Sequence, residues 1–316
     1  MRTFLGVVLV LFSLNSNAQS WPSKPLRYIV PFPPGAFNDT LARIMSAELP
    51  KVLGQPVLVE NRPGGNTIIG TEAAAKSAPD GYTLFGAALP FAVIQSLYKT
   101  PFDVTKDFVP ITLAGTTPNL LVANPNVPVN NVRELIAMAK AKPGGLNYAS
   151  TGNGTSNHLS FELFKAMTQT QVTHVPYKGS APAVTDLIAG QVQVMFDNTP
   201  NVLPHVKAGK LKAIAVSSKK RSALAPDVPT VDESGVPGYD VTVWFGILAP
   251  AGVPREIVQR LNTEMVKIMR SPEVTDRFNK AGVDVAASSS DEFSVFLKAE
   301  VVRWAKVVQD ANIKAD

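Results

Sequence analysis

The chain has 316 residues, of which 45% are hydrophobic and 17% are charged, and none is cysteine. This length is more than one hydrophobic core usually supports, so we expect two domains, and the missing cysteine excludes disulfides, thiol catalysis and thiolate metal sites. The formal net charge is +5 and only Lys219, Lys220 and Arg221 form a cluster, so the charge pattern excludes a basic stripe of the kind that binds nucleic acid.

The first residues have the pattern of an export signal. Arg2 supplies a positive charge, residues 4–14 form an apolar core, and Ala18 ends a short run with small residues at the cleavage positions. This core is about half as long as the roughly 20 apolar residues of a membrane-spanning helix. A buried first strand or helix of a cytosolic protein is the alternative, but polar residues follow at once. We therefore expect a signal peptide over residues 1–18, cleavage after Ala18 and an exported, soluble mature protein.

The section after the signal alternates short apolar runs with helical patterns, which is typical of an α/β protein. Strands are predicted at residues 27–30, 57–59 and 83–85, and helices at 39–47 and 67–76. Pro50 is expected to kink or end the first of these helices. This βαβαβ order predicts parallel strands with right-handed crossovers.

The middle section repeats the alternation, whereas the last third is mainly helical. Predicted strands lie at residues 146–148, 172–175, 192–196, 213–216 and 241–248, and predicted helices at 131–141, 156–167, 181–189, 202–208, 254–269, 272–280 and 291–311. The final helices cannot complete a sheet of their own, so they must pack on an earlier domain. We therefore predict one lobe from residues 19–121 plus 241–316 and a second lobe from 122–240. Two crossing strands would form a hinge with a cleft between the lobes.

Two strand-to-helix loops could bind a small anion: loop 1, residues 31–39, and loop 2, residues 148–158. In open parallel sheets, ligands bind beyond the carboxyl ends of the strands. The helix N-terminus behind such a loop carries free N–H groups and a partial positive charge, which suit a carboxylate. Gly35 would let the backbone approach a ligand, whereas we expect Asp39 to cap the helix, because its charge would oppose an anion.

Loop 2 combines four serine and threonine hydroxyls, two glycines and a helix N-terminus. It has Asn157 where a dinucleotide-binding fingerprint has its third glycine, and it lacks the Gly-Lys-Ser/Thr of a P-loop. From these residues alone, an ordinary capped turn and a ligand-binding loop both stay open.

Several motifs, in the same order along the chain, resemble those of the tripartite tricarboxylate transporter substrate-binding proteins, known as the Bug family. They span the mature chain and lie at residues 29–35 (IVPFPPG), 39–43, 54–57 (GQPV), 59–65 (VENRPGG), 79–84 (PDGYTL), 148–159, 175–179 (VPYKG), 232–235 (DESG) and 249–252 (APAG). The resemblance implies an α/β, two-lobed periplasmic-binding-protein fold of type II, with two mixed or parallel sheets, flanking helices and a two-strand hinge. It also implies a monomer in the periplasm that captures a small carboxylate and delivers it to a membrane permease.

The resemblance further implies that both loops hold the ligand, largely through backbone N–H groups and bridging waters. It places the ligand-binding residues at Phe32, Pro34, Gly35, Ala36, Phe37 and Asn38 in one wall, at Ser150, Thr151, Gly154, Thr155, Ser156 and His158 in the other, and at Asp197 in the same cleft. It implies no catalytic residue, no metal and no cofactor.

The chain departs from the family pattern at Ala36, Phe37 and Asn38, where a second glycine, a small residue and often threonine would stand. The ring of Phe37 could narrow the pocket, stack on an aromatic ligand or pack against the opposite lobe, so aromatic carboxylates stay open beside di- and tricarboxylates. Asp197 would oppose an anion unless it accepts a hydrogen bond from a ligand hydroxyl or ammonium group, which would favour a hydroxy or amino acid.

Two alternatives to a transport receptor follow from the same residues. The first is an enzyme on this fold, for which Asp197 and His158 are the only pair that could act as acid and base. The second is a binding protein that serves a membrane sensor kinase. The other histidines do not favour an enzyme, because His174 lies in a predicted strand and His205 on a predicted surface helix.

Overall fold

The computed structural model describes residues 21–314, so the predicted signal peptide lies outside the described residues. Within this range the strands are β1 (Leu26–Val30), β2 (Val57–Asn61), β3 (Thr83–Ala88), β4 (Phe108–Ala123), β5 (Asn147–Ser150), β6 (Thr173–Pro176), β7 (Val194–Asn198), β8 (Lys212–Val216), β9 (Thr242–Pro250) and β10 (Asp284–Val285). The helices are α1 (Phe37–Leu53), α2 (Ile68–Ala75), α3 (Leu89–Leu97), α4 (Val132–Ala141), α5 (Ser156–Thr168), α6 (Ser180–Ala189), α7 (Thr199–Lys207), α8 (Arg255–Met269), α9 (Pro272–Lys280) and α10 (Ser290–Asp310).

The strands form a continuous mixed sheet in the order β2-β1-β3-β9-β4-β7-β5-β6, with β8 and β10 also paired to β4. β1 runs parallel to both β2 and β3, which confirms the predicted βαβαβ unit. β5 runs parallel to β6 and β7, whereas β9 lies antiparallel between β3 and β4. The α/β architecture, with helices packed on a mixed sheet whose two halves are joined through β4, is therefore confirmed.

β4 is shared by both halves of the sheet. Its residues 108–118 pair with β9, and its residues 119–123 pair with β7 and β8. The chain crosses back to the first half of the sheet near Val241, whose N–H donates to the Ser217 carbonyl just before β9 begins. We use lobe 1 for residues 21–118 and 242–314, and lobe 2 for residues 119–241. The lobe boundaries that the sequence predicts, at residues 121 and 241, stay predictions.

α1 is longer at both ends than predicted. It begins at Phe37 rather than at Asp39 and runs through Pro50 to Leu53. The prediction that Pro50 ends the helix is therefore wrong, and the alternative that Pro50 kinks it stays a prediction. Leu49 and Leu53 on either side of Pro50 are both buried, and that burial favours one more turn despite the missing N–H. Gly54 then ends the helix in the left-handed conformation, with φ of 74°.

The C-terminal helices pack on the first part of the chain, as predicted. α8 lies against β4 and α1, and α10 lies against α3 and β4. No helix within residues 21–314 combines the length and apolar character needed to cross a bilayer.

Candidate ligand-binding site

Loop 1 is tied down by the carboxylate of Asp39. This carboxylate accepts hydrogen bonds from the Gly35 N–H (3.1 Å), from Arg43 Nε (2.9 Å) and from Asn61 Nδ2 (3.0 Å). Burial alone would raise the pKa of Asp39, but these hydrogen bonds and the Arg43 charge bring it below its usual value. The prediction that Asp39 caps α1 is therefore wrong in detail, because Ala36 is the N-cap and Asp39 holds the loop from inside the first turn.

The predicted ligand-binding residues of loop 1 differ in exposure. Pro34 and Gly35 are exposed, Phe32 and Ala36 are half-buried, and Asn38 is only 2% exposed. Gly35 has φ of 91°, a conformation that favours glycine, and a Cβ there would meet no atom within 4 Å. The exposed part of the loop therefore lies at the turn into α1, where the first helical N–H groups have no intrahelical partner.

The ring of Phe37 packs within its own lobe. Its centroid lies 4.5 Å from that of Phe245 and 5.1 Å from that of Phe278. β9 supplies Phe245 and α9 supplies Phe278, so the alternative that Phe37 packs on the opposite lobe is wrong. Stacking on a ligand stays a prediction.

Two buried polar atoms, one of them from loop 1 itself, lie close to Gly86. Asn38 Oδ1 and Tyr28 Oη have no hydrogen-bond partner among the described residues. A Cβ at Gly86 would lie 3.6 Å from Tyr28 Oη and 3.8 Å from Asn38 Oδ1, so both atoms border the same glycine. Burial raises the pKa of Tyr28 well above its usual value, which keeps it a neutral hydroxyl. A polar group placed here would be favoured, because an unpaired buried polar atom costs about 1–3 kcal/mol.

Loop 2 is held in shape by its own hydroxyls. Ser150 is fully buried, with its Oγ 2.6 Å from His174 Nε2 and 3.1 Å from the Gly152 N–H, which donates to it. Thr155 Oγ1 donates to the Gly152 carbonyl at 2.6 Å, and Thr151 Oγ1 donates to Asn157 Oδ1 at 2.6 Å. These hydroxyls therefore fix the backbone on which Gly154 and Ser156 lie.

His158 also supports the loop backbone. Its Nδ1 accepts a hydrogen bond from the Gly154 N–H at 3.2 Å, which leaves Nε2 to carry the proton of the neutral ring. The ring centroid lies 4.6 Å from that of His174, and His174 stacks on Tyr148 at 4.8 Å. His158 is 5% exposed, and these ring contacts make it part of a buried aromatic cluster with His174 and Tyr148.

Asp197 joins three helices of lobe 2 at their N-termini. Its carboxylate accepts from Asn157 Nδ2 (2.9 Å), from the Asn198 N–H (2.7 Å), from Asn201 Nδ2 (3.2 Å) and from the Ser180 hydroxyl. Burial is the largest effect and raises the pKa of Asp197, although these four donors lower it. The side chain is 1% exposed, and its partners come from the starts of α5, α6 and α7.

Loop 2 and the start of α7 each contact lobe 1. A Cβ at Gly154 of loop 2 would lie 2.6 Å from Asn66 Nδ2 and 3.1 Å from Leu97 Cδ1 of lobe 1. A Cβ at Gly282 of lobe 1 would lie 2.1 Å from Pro200 Cγ of lobe 2. Asn66 is not among the site residues predicted from the sequence. The only local sign of an unusual loop at Asn66 is the Gly64-Gly65 pair just before it.

A profile of the tripartite tricarboxylate transporter family receptors matches residues 41–313. The chain belongs to this family. BugT of Bordetella pertussis is 40% identical over 301 residues, which cover 94% of this chain and 92% of BugT. The family assignment made from the sequence motifs is therefore confirmed.

Solved structures agree with the fold. Rpa4515 of R. palustris, determined with adipate, is 36% identical, has a TM-score of 0.83, and is matched over 93% of this chain and 99% of that one. MatC of Rhodopseudomonas palustris, determined with bound malate, is 32% identical, has a TM-score of 0.80, and is matched over 91% and 100% of the two chains. These matches confirm the two-lobed periplasmic-binding-protein fold.

The relatives also bear on the enzyme alternative. The family profile and the similar solved structures describe receptors and solute-binding proteins, so this chain is a receptor rather than an enzyme built on Asp197 and His158. Within residues 21–314, no group of three or more His, Cys, Asp or Glu side chains is placed to hold a metal ion.

Proposed function

We propose that this receptor binds a small aliphatic dicarboxylate between loop 1 and loop 2 in the periplasm and delivers it to the permease of a tripartite tricarboxylate transporter. The observation that carries the proposal is the contact between the lobes at Gly154 and Asn66, because Gly154 lies just before the N-terminus of α5 and Asn66 follows a strand end bonded to loop 1, which leads into α1. Each N-terminus offers N–H groups and a partial positive charge to one end of such a ligand.

The composition of the loops supports recognition by the backbone. Residues 31–38 and 148–158 contain no lysine or arginine. A carboxylate held there would depend on helix N–H groups, assisted by the hydroxyl of Ser156 at the start of α5. The side chains of Ser150 and His158 would act indirectly, because both already bond within lobe 2.

The choice of an aliphatic dicarboxylate rests on three observations. Two relatives were determined with adipate and malate, both of which are dicarboxylates. The packing of Phe37 on Phe245 and Phe278 gives no support to an aromatic ligand. The four donors on Asp197 give no support to a ligand ammonium group, and we propose that Asp197 supports loop 2 instead of contacting the ligand.

A thermal-shift and calorimetric screen tests the ligand class. The protein from Gln19 onward would be screened against aliphatic, hydroxylated, amino and aromatic mono- and dicarboxylates. We expect aliphatic dicarboxylates of four to six carbons to bind most tightly, and a ligand at 100 times its Kd should add about 2.7 kcal/mol of stability. Preferential binding of aromatic or amino acids would refute the ligand class, and chemical conversion of the ligand would refute the receptor role.

Uptake measurements test delivery to a permease. We expect a strain that lacks this protein to lose uptake of the radiolabelled ligand while it keeps growing on other carbon sources. Unchanged uptake, with loss of transcription of a ligand-induced gene, would instead indicate a sensor partner.

A further inference from the structure

The third loop, residues 62–67, connects β2 to α2 and has an unusual backbone. Four consecutive residues have positive φ: Gly64 (121°), Gly65 (54°), Asn66 (48°) and Thr67 (76°). Asparagine tolerates this region, but a β-branched threonine rarely adopts it. Thr67 directly precedes α2 and forms no side-chain cap, and its buried Oγ1 has no hydrogen-bond partner among the described residues. Capping of α2 therefore does not explain this conformation.

The third loop is fixed against loop 1. Asn61 at the end of β2 donates to the Phe32 carbonyl (3.1 Å) and to Asp39 Oδ1 (3.0 Å). A Cβ at Gly70 would lie 2.8 Å from Pro31 Cβ, so the first turn of α2 lies directly on the start of loop 1. The third loop consequently has a defined position beside the proposed ligand site.

Asn66 reaches from this loop to the opposite lobe. Its Nδ2 is the atom nearest to a Cβ built at Gly154, at 2.6 Å. The side chain of Asn66 is half-buried and forms no hydrogen bond with any residue between 21 and 314. An uncharged amide donor therefore lies where loop 2 meets lobe 1, and nothing in the described chain uses its N–H groups.

We infer that Asn66, on the third loop, contacts the ligand and determines specificity, and that its amide donates to a carboxylate oxygen held by loop 1 and loop 2. This inference rests on the proposed function. The amide comes close to loop 2 only when the lobes are together, so its hydrogen bond favours the closed state over the open one. The strained backbone of Asn66 and Thr67 fits such a role, because strained residues persist where their position matters to function.

The test uses Asn66→Gly, which keeps the positive φ accessible and removes the side chain with its amide. Asn312→Gly is the matched control, because Asn312 also has φ of 48° and is exposed just past the end of α10. With the best dicarboxylate from the screen, we expect calorimetry to show at least about tenfold weaker binding for N66G than for N312G. The melting temperatures of the two ligand-free variants should agree.

A second variant separates ligand contact from a purely steric contact between the lobes. Asn66→Asp keeps the size of the side chain but places a negative charge beside the carboxylate, so we expect N66D to bind more weakly than N66G. Near-wild-type affinity of N66D, or equal affinities of N66G and N312G, would overturn the inference while leaving the receptor function intact. Failure of the wild-type protein to bind any carboxylate would overturn both.

Discussion

Gly282 offers a way to hold the lobes apart without touching either ligand loop. It lies in the turn between α9 and β10, beside the strand that crosses between the lobes, and Thr117 Oγ1 donates to its carbonyl at 2.7 Å. A Cβ there would lie 2.1 Å from Pro200 Cγ and 2.8 Å from Leu224 Cδ1, both in lobe 2. Carbon atoms pack at about 3.5–4.0 Å, so Gly282→Ala requires the ring of Pro200 to move away by more than about 1 Å.

The size of the effect follows from two separate costs. Overpacking of this kind costs about 1–3 kcal/mol. Because the Pro200 ring is rigid, we expect this cost to destabilise the closed state, in which the two lobes are in contact. If the ligand binds the closed state, Kd should rise about 5- to 150-fold, since about 1.4 kcal/mol is a factor of ten. Positive φ adds about 1–2 kcal/mol for any alanine, and that cost is paid in the open and the closed state alike.

Gly144→Ala is the matched control for this prediction. Gly144 has φ of 70°, as Gly282 does, but a Cβ there would meet nothing within 4 Å. Urea titration should therefore show a loss of unfolding free energy in both variants, and calorimetry should show a loss of ligand affinity in G282A alone. Equal affinity in the two variants would refute the reasoning that contact at Gly282 governs closure.

Three further substitutions test loop 1. Gly35→Val puts a β-branched residue at φ of 91°, a conformation that it disfavours, and adds bulk to the exposed face of loop 1. We therefore expect calorimetry to show no binding while circular dichroism shows a folded protein; normal affinity would refute the assignment of the loop. Phe37→Ala should lower the free energy of unfolding in urea by about 1–3 kcal/mol, because the ring packs on two phenylalanines, and it should weaken aliphatic and aromatic ligands alike; a selective loss of aromatic ligands would restore the stacking hypothesis. The lowered pKa of Asp39 contributes stability above its unfolded-state pKa of about 3.9, and this stability is lost as pH falls through the folded-state pKa. Asp39→Asn should therefore reduce the loss of stability between pH 5 and pH 3 in urea titrations, and an unchanged slope would contradict this role.

The sequence predicted the regular part of the fold because its elements have a clear period. β1, β2 and β3 are short apolar runs separated by helices, and the structure pairs them in parallel as expected. α3 was missed because all six residues from Leu89 to Ile94 are buried, so the helix has no polar face to produce a period. The sequence predicted a crossing strand near residue 121 but not the full length of β4, because Pro110, Gly115 and Pro118 interrupt it and its register shifts near the first two.

The candidate site could be predicted only as far as local sequence determines it. The positions of loop 1 and loop 2 follow from strand and helix order, and the motifs point to the same residues. The partners of Phe37 come from residues more than 200 positions away, and Asn66 meets Gly154 only through the packing of the lobes. No local pattern predicts such contacts.

The way loop 2 is stabilised bears on how ligands are distinguished. Ser150, Thr155 and His158 bond within the loop, and Asp197 joins the starts of the three helices that follow β5, β6 and β7. These groups hold the N-terminus of α5 in place and leave its N–H groups to provide the positive field. Because that field recognises any carboxylate, we propose that selectivity depends on the distance between the α1 and α5 termini when the lobes close, and on the amide of Asn66.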